Sequence, residues 1–271
     1  MASILDRYGI KEVADVTFYE IEDDGTQGKP VLYLDTLKVS TIEQTAETSD
    51  ARGGKGNPKL VTWDYGKDIT ITLEDALFSP KSLAIMFGDG VVTPATGNAL
   101  EITKTVVARA TKDAGEENTY SIKKLTLDVY NSASGKVLRE EVEVSKLEAN
   151  KITVLKVYKE DGTEVTGGIS AATDEGKYFV TYKFTAASKF EIGISAETFP
   201  GTYYVTGDTY ARSDVNGEDQ FFQFIIPKAK VTSENTITLE AEGDPSVFNM
   251  NLSVLRPESG DMMKLVQYTL A

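Results

Sequence analysis

Carboxylates are the side chains of this sequence best suited to chemistry, because it contains neither histidine nor cysteine. Those two absences remove the commonest general base, the thiolate nucleophile and the usual zinc ligands. The densest acidic group is Glu240, Glu242 and Asp244, but no aromatic cluster that would hold a sugar accompanies it. We interpret this group as part of a solvated strand, and we predict that the protein is not an enzyme and has no catalytic residues.

Two other segments match ligand-binding loops only in part. The run Gly53-Gly54-Lys55-Gly56-Asn57 is glycine-rich and contains a lysine, but it lacks the spacing of a phosphate loop and no helical pattern follows it. The run Asp214–Asp219 offers oxygen ligands in a tight turn, without the distant glutamate of a calcium loop. We therefore predict a hairpin turn at the second run, no cofactor and no metal.

The net charge of −14 constrains the partners of the chain. Surfaces that grip nucleic acid need clustered lysine and arginine, whereas an acidic surface keeps a passing polyanion from sticking. The hydrophobic fraction of 41% and the charged fraction of 26% are typical of a folded globular protein. No apolar run approaches the roughly 20 residues that cross a bilayer, and Met1–Asp6 does not have the pattern of a secretion signal. We expect synthesis in a cytoplasm and no membrane partner.

Alternation of apolar and polar residues dominates the chain and predicts a mainly antiparallel, all-β fold. In Phe248–Val254, apolar residues occupy one face of the strand, and asparagine and serine occupy the other. Turn dipeptides at Asp24-Gly25, Asp161-Gly162, Asn216-Gly217 and Ser259-Gly260 separate strand candidates. The remaining candidates are Val13–Ile21, Val31–Ile42, Ile69–Leu73, Ile122–Tyr130, Ile152–Tyr158, Tyr178–Phe184, Tyr203–Arg212, Phe221–Val231 and Thr236–Glu240.

One short helix is predicted between Ser79 and Gly88. Ser79 is a favoured N-cap residue, Pro80 suits the first helical position, and Gly88 supplies a stop. Leu83 and Phe87 are spaced to share one face of this helix. We expect the helix to cover an edge of the β-structure.

The segment Thr41–Lys59 is polar almost throughout and glycine-rich towards its end. A long loop without secondary structure in a compact domain is usually functional or disordered. We predict a long loop that reaches from a hairpin to a neighbouring subunit, and an unattached surface loop is the alternative. The candidates for inter-subunit contact are Thr45, Glu47, Asp50, Arg52, Gly53, Gly54, Lys55 and Asn57.

The segment Phe221–Pro227 is apolar on both faces, which fits either a central strand or a strand that another subunit covers. Pro227 is expected to end this strand or to mark a sheet edge. An edge so apolar would aggregate in a monomer, so burial by a partner would protect it. The candidates for a buried inter-subunit strand are Phe221, Phe222, Phe224 and Ile226.

The middle of the chain differs in organisation from its two ends. It begins and ends in loop-like sequence and contains strand candidates separated by turn signals. We predict a discontinuous β-sandwich domain, residues 1–100 together with 187–271, and an inserted immunoglobulin-like β region at 101–186.

Five segments resemble bacteriophage tail tube proteins, which are also called major tail proteins. Three of them lie towards the C-terminus, at Phe199–Tyr210, Phe222–Lys230 and Leu239–Phe248, and two lie at Ala51–Asn57 and Leu73–Pro80. The resemblance leaves the middle region uncovered and does not single out one tail component.

The resemblance implies a two-sheet β-sandwich of tail-tube type with one flanking helix. Copies of it would form stacked hexameric rings, and their inner sheets would join into a continuous β-barrel that lines a channel for DNA. The implied partners are further copies of the chain and other tail proteins such as the tape measure, sheath or baseplate, with DNA as a passing cargo that is not gripped. Acidic strands would face the lumen, and the protein would reside in the virion tail after assembly in the host cytoplasm.

Three other hypotheses stay open on the sequence alone. In the first hypothesis, the chain is a different virion part, such as a baseplate or tail-terminator ring or a capsid decoration protein. In the second hypothesis, it is a surface adhesion protein built from immunoglobulin-like domains, although a secretion signal is missing from its first residues. In the third hypothesis, it is a carboxylate-based hydrolase, although no catalytic constellation is visible.

Overall fold

The computed structural model describes residues 7–10, 12–88, 91–92, 100–116, 119–131, 133–148, 152–186, 190–237 and 246–269. Within these ranges the protein consists of antiparallel β-sheets with one short α-helix, which confirms the predicted fold class. None of the helices in this part of the chain is long and apolar enough to cross a membrane.

The described residues contain one α-helix, two 3-10 helices and eighteen strands. Helix α1 is Pro80–Phe87, and two 3-10 helices lie at Val144–Lys146 and Gly168–Ser170. The strands are β1 (Tyr8–Ile10), β2 (Asp15–Ile21), β3 (Gln27–Leu34), β4 (Leu37–Arg52), β5 (Lys59–Asp75), β6 (Val91–Val92), β7 (Leu100–Lys112), β8 (Tyr120–Ser121), β9 (Lys124–Asn131), β10 (Lys136–Glu143), β11 (Ile152–Lys159), β12 (Gly176–Ala186), β13 (Glu191–Ile192), β14 (Thr202–Ser213), β15 (Asp219–Val231), β16 (Thr236–Ile237), β17 (Phe248–Val254) and β18 (Lys264–Tyr268).

The predicted strands correspond to observed ones with two exceptions. The candidate Val31–Ile42 is divided between β3 and β4, because Asp35 and Thr36 belong to neither strand. The candidate Thr236–Glu240 is seen only as β16, since its later residues lie outside the described ranges. The glycines of all four predicted turn dipeptides have positive φ, as tight turns require.

The chain divides into two compact units. Unit 1 comprises Met1–Val92 and Ile192–Ala271, and unit 2 comprises Thr93–Glu191. The boundaries predicted from the sequence, after residues 100 and 186, lie eight residues after the first of these divisions and five residues before the second. Unit 2 contains a four-stranded sheet in the order β11-β12-β7-β8 and a two-stranded sheet, β10-β9. Its core includes Leu125, Leu127, Val157, Tyr178 and Val180.

The main strands of unit 1 form one ten-stranded sheet in the order β3-β2-β14-β15-β17-β5-β4, with β1, β16 and β18 attached beside β14, β17 and β15. Only Asp35 and Thr36 join β3 to β4, the two ends of this order, so the sheet curves until its ends meet. The two layers that the resemblance implies are therefore parts of one hydrogen-bonded sheet. Its core includes Val16, Phe18, Ile71, Val205, Ile226 and Leu252.

Helix α1 has the limits that the sequence predicts. The Ser79 hydroxyl accepts a hydrogen bond from the Ser82 N–H at 3.0 Å, and the Ser79 N–H donates to the Ser82 hydroxyl at 2.9 Å, which completes a capping box. Gly88 ends the helix with φ of 75°. The inner face of the helix buries Ile85 and Met86 in the core of unit 1.

Pro227 lies inside β15, so the prediction that it ends the strand or marks an edge was wrong. β15 pairs with β14 on one side, and on the other side with β18 at 221–225 and with β17 at 229–231. Pro227 falls in the gap between those two partners, opposite a register shift between Tyr203 and Val205 of β14. A residue without an N–H is tolerated there because the hydrogen-bond ladder is interrupted on both sides.

Candidate assembly surface

The hairpin of β4 and β5 (Leu37–Asp75), hereafter the arm, extends beyond the core of unit 1. The two strands pair from Leu37 with Asp75 to Arg52 with Lys59, and only 53–58 connects them as a loop. The prediction of a long loop over Thr41–Lys59 was therefore wrong, because most of this segment is strand. Its polar composition reflects a two-stranded ribbon that water reaches on both faces, since all side chains of 41–49 and 54–68 are exposed or nearly so.

A β-bulge divides the hairpin into two halves. Between the pairs Thr45–Asp68 and Glu47–Tyr65, β5 contains one residue more than β4. Gly66 accommodates the bulge with φ of 59°, a left-handed conformation that glycine adopts freely. Because side chains alternate along a strand, one extra residue moves every following side chain of β5 to the opposite face.

The proximal half of the hairpin is Leu37–Thr45 paired with Asp68–Asp75, and its β5 strand contributes alternate side chains to the core. Ile69, Ile71 and Leu73 are 5%, 1% and 1% exposed and pack inside unit 1. Their alternation with polar residues is the pattern of a strand with one buried face.

The distal half, Glu47–Arg52 paired with Lys59–Tyr65, presents an apolar stripe to solvent. The stripe consists of Val61, Trp63 and Tyr65, which alternate along β5 and are 47%, 56% and 53% exposed. Aromatic residues are enriched at protein interfaces, and a two-stranded ribbon is marginally stable alone in water. The sequence-based predictions missed this stripe, although the alternation in Lys59–Tyr65 is the signal that identifies it.

Asp50 forms hydrogen bonds and ion pairs that connect β4 to β5 near the end of the hairpin. Its carboxylate accepts a hydrogen bond from the Thr62 hydroxyl at 2.9 Å and pairs with the Lys59 ammonium at 2.9 Å and with Arg52 at 3.3 Å. The hydrogen bond from Lys59, followed by that from Thr62, lowers the pKa of Asp50 below its ordinary value. Since these groups reach solvent, we expect them to fix the shape of the arm more than to stabilise the fold.

The eight predicted contact residues share the arm but not one face of it. Glu47 lies opposite Tyr65 and therefore shares the face of the apolar stripe, whereas Asp50 lies opposite Thr62 on the other face. Thr45 belongs to the proximal half, Arg52 ends β4, and Gly53, Gly54, Lys55 and Asn57 form the connecting loop.

The four apolar residues predicted for a buried inter-subunit strand separate into two pairs. Phe224 and Ile226 are 4% and 0% exposed in the core of their own unit. Phe221 and Phe222 are half-buried. The Phe221 ring stacks on Tyr268 of β18, with centroids 5.2 Å apart. Both edges of β15 thus pair with strands of its own chain along most of their length, and Phe221 and Phe222 are the two of these four residues that reach solvent.

Two acidic segments were further candidates for chemistry on the sequence alone. Glu240, Glu242 and Asp244 lie outside the described residues. The run Asp214–Asp219 connects β14 to β15 as a turn, and Arg212 binds Asp219 with two hydrogen bonds of 2.7 and 2.8 Å. Within the part of the chain that the structure describes, no group of three or more acidic side chains is arranged to hold a metal ion.

The candidate site of this all-β unit is thus a surface rather than a cleft, an apolar stripe on the distal half of a long exposed arm. The chain belongs to the YomU/Tube protein family, which matches it over residues 8–266. This membership agrees with the resemblance to tail tube proteins of phages and makes the chain a structural component of a virion tail. It also implies association with other copies and other tail proteins. No curated protein is similar enough to the chain to be matched with it.

Proposed function

We propose that the protein builds the tube of a phage tail by assembling into stacked hexameric rings whose channel carries DNA. The observation that carries this proposal is the apolar stripe, Val61, Trp63 and Tyr65, exposed on an arm that the core of its own unit does not cover. The hexamer is the ring size that the resemblance to tail tube proteins implies.

In this assembly the distal half of each arm lies on a neighbouring copy. Burying a large apolar side chain contributes about 1.5–3 kcal/mol, so three such side chains offset much of the cost of ordering the interface. Phe221 and Phe222, at the exposed end of β15, are proposed as further contacts between copies. The loop residues Gly53, Gly54, Lys55 and Asn57 lie at the end of the arm, where they reach the partner first.

The net charge of −14 per copy suits a channel wall that does not hold its cargo. An acidic wall repels the phosphate backbone of DNA, which therefore passes without sticking. The tape measure protein occupies the lumen before DNA does, and sheath or baseplate proteins bind the outer surface and the end of the tube. Assembly takes place in the host cytoplasm.

The proposal is tested by electron microscopy and fluorescence of the purified protein at rising concentration. Moderate salt screens the repulsion between acidic copies. Trp63 is the only tryptophan of the sequence, so its emission reports on the apolar stripe alone. We expect rings or hollow tubes, and a blue shift of the Trp63 emission as the indole side chain is removed from water on assembly.

A double substitution at the stripe sharpens this test. Val61→Ser with Tyr65→Ser preserves the fluorescent reporter and should raise the concentration required for assembly roughly a hundredfold, because about 3 kcal/mol of burial is lost. The control is Asp64→Ser, which changes a side chain on the opposite face of the same strand. A wild-type chain that stays monomeric at every concentration, or tubes in which the Trp63 emission does not shift, would contradict the proposal.

A further inference from the structure

The two sheets of unit 2 differ in width. One contains four strands, β11-β12-β7-β8, whereas the sheet that faces it contains only β9 and β10. Within the described part of the chain, β10 pairs with β9 alone, so the backbone groups along its outer edge have no strand partner. Such an edge readily forms hydrogen bonds with an added strand. The smaller sheet therefore offers the hydrogen-bonding groups for a third strand.

A groove of about 470 Å³ lies between β10 and the facing sheet. Four consecutive residues of β10, Glu140–Glu143, line one side of it. Ile152 of β11 and the aromatic residues Tyr182 and Phe184 of β12 line the other side. The groove therefore combines an apolar, partly aromatic wall with the length of a strand edge.

The inward face of β10 is only partly covered. Glu140 and Val142 lie opposite Leu127 and Leu125 of β9, which are 2% and 0% exposed in the core of unit 2. Because opposite residues share a face, Glu140 and Val142 face the other sheet, and so does Leu138. Leu138 is nevertheless 37% exposed. A strand added beside β10 would extend the cover over this face.

Tyr182 supplies the groove with an unused hydrogen-bonding group. Its side chain is 3% exposed, and its hydroxyl forms no hydrogen bond with any group that the structure describes. A polar group left unsatisfied in a protein interior is unfavourable unless water or a ligand supplies a partner. Burial, followed by the negative charge of Asp128, raises the pKa of Tyr182. The hydroxyl is therefore protonated at neutral pH and lies in a negative potential.

The charged side chains of the groove give it a net negative charge. They are Lys124, Asp128, Glu140, Glu141, Glu143 and Lys146. The two lysines pair with Glu141 and Glu143 at 3.1 and 3.2 Å. Asp128 has only Lys104 of β7 at 3.9 Å, and Glu140 forms no ion pair with any described residue. A cationic group of a ligand would therefore find its partner in Glu140.

We propose that an extended segment of a partner protein adds to unit 2 as a strand beside β10 and places a lysine or arginine side chain in the groove, next to Glu140 and Tyr182. The backbone of β10 supplies affinity and alternate side chains supply specificity, as in other cases of strand addition. Opposite Leu138 and Val142 the segment carries apolar side chains. This surface is separate from the arm, and the inference does not rest on ring assembly.

A short synthetic peptide tests the proposal. In the sequence Thr-Val-Thr-Lys-Thr-Val-Thr, the lysine and the two valines share one face of a strand. We expect saturable binding of the dye-labelled peptide to the full chain, measured by fluorescence anisotropy. The same peptide with glutamate in place of lysine should bind about tenfold more weakly, because it sets like charges together.

Two modified peptides test pairing with the strand edge. N-methylation of alternate residues removes the N–H donors from one edge of the peptide and leaves those of the other edge intact. Since strand addition uses one edge only, one of the two isomers should bind like the parent peptide and the other about tenfold more weakly. Equal affinities of the two isomers would show that the backbone does not pair with β10.

Substitutions in the groove test the side chains. Glu140→Lys should reverse the preference, with about tenfold weaker binding of the lysine peptide and a similar gain for the glutamate peptide. Tyr182→Phe removes the hydroxyl alone and should weaken binding about fivefold. The control is Glu175→Lys, an equal change of charge at an exposed position about 20 Å from Tyr182 along β12, which should leave binding unchanged.

Three results would overturn the proposal. The first is a wild-type chain without saturable binding of the lysine peptide up to millimolar concentration, or equal effects of the two glutamate substitutions. The second is displacement of the peptide by neutral maltoheptaose, which would identify a sugar site. The third is assembly that shifts in Glu140→Lys but not in Glu175→Lys, which would make a second copy the occupant. The binding measurements do not require rings, so their failure is distinct from failure of the tube proposal.

Discussion

The two halves of the β4–β5 hairpin are built from the same two strands and differ in what covers them. In the proximal half, Ile69, Ile71 and Leu73 are buried by the core of their own chain. In the distal half, Val61, Trp63 and Tyr65 alternate in the same way but stay exposed. A single strand thus supplies one apolar face to the fold and a second to a surface. The difference shows that an alternating pattern identifies a strand without identifying what buries it.

The bulge at Gly66 makes this division of roles possible. Without the additional residue, the odd-numbered residues of both halves of β5 would point to the same side of the hairpin. With it, the stripe lies on the face opposite to the one that continues the core. A small local feature therefore decides whether the arm continues the interior of its own unit or presents a separate surface.

The largest expected contrast is between substitutions in the two halves. Ile71→Ala should lower the free energy of unfolding by about 2–5 kcal/mol, because it leaves a cavity in the core. Trp63→Ala removes a larger side chain, yet it should change the stability of the unassembled chain by less than about 0.5 kcal/mol. Urea denaturation of dilute protein, followed by circular dichroism, measures both.

The control for Ile71→Ala is Thr70→Ala, the neighbouring position on the outward face of the same strand. It should behave like a surface substitution. A marked loss of stability in monomeric Trp63→Ala would mean that the distal half already has a partner surface within its own chain, and the comparison between the halves would fail.

Sequence patterns predict the parts of this fold in which one strand or helix carries its own signal. Phe248–Val254 alternates cleanly because one of its faces is buried, and helix α1 is limited by its own caps at Ser79 and Gly88. The distal half of the arm has no such signal in β4, since both faces of Glu47–Arg52 are largely polar. Its strand conformation comes from pairing with β5, which is a property of two segments together.

Position within the sheet accounts for the remaining errors. The sequence of Phe221–Pro227 cannot reveal that β15 changes partner from β18 to β17 at Pro227, where a missing N–H costs least. Nor does it reveal that Phe224 and Ile226 point into the core of their own unit. The stripe itself follows from alternation in β5, but the face on which it lies depends on a bulge that only the pairing defines.

Gly66→Ala is expected to give an effect of intermediate size. An alanine in the left-handed conformation costs about 1–2 kcal/mol, so the bulge should be populated less and the stripe presented less often. Assembly should then require a concentration roughly tenfold higher, measured by light scattering, while the melting of the core changes little.

Gly66→Asn is the matched control for this substitution, because asparagine tolerates positive φ much better than alanine does. It should assemble close to wild type. If alanine and asparagine impair assembly equally, the glycine acts through its lack of a side chain rather than through its backbone conformation.

The smallest expected effect concerns the end of the arm and depends on pH. The pKa of Asp50 is lowered in the folded chain by Lys59 and Thr62. The carboxylate therefore contributes order to the arm above its ordinary pKa, and this contribution is lost as pH falls through the lower folded value. Asp50→Asn should increase quenching of Trp63 by acrylamide at neutral pH, and the wild type should approach the variant as pH falls below the ordinary aspartate range.

Asp64→Asn separates the ion pairs of Asp50 from the simple removal of a charge. Asp64 lies opposite Thr48 in the same half of the arm, and its substitution leaves the contacts of Asp50 with Lys59 and Thr62 in place. It should not change the quenching of Trp63. If Asp64→Asn and Asp50→Asn loosen the arm equally, then net charge rather than the contacts of Asp50 governs its order, and the apolar stripe is held in place by pairing of β4 with β5 alone.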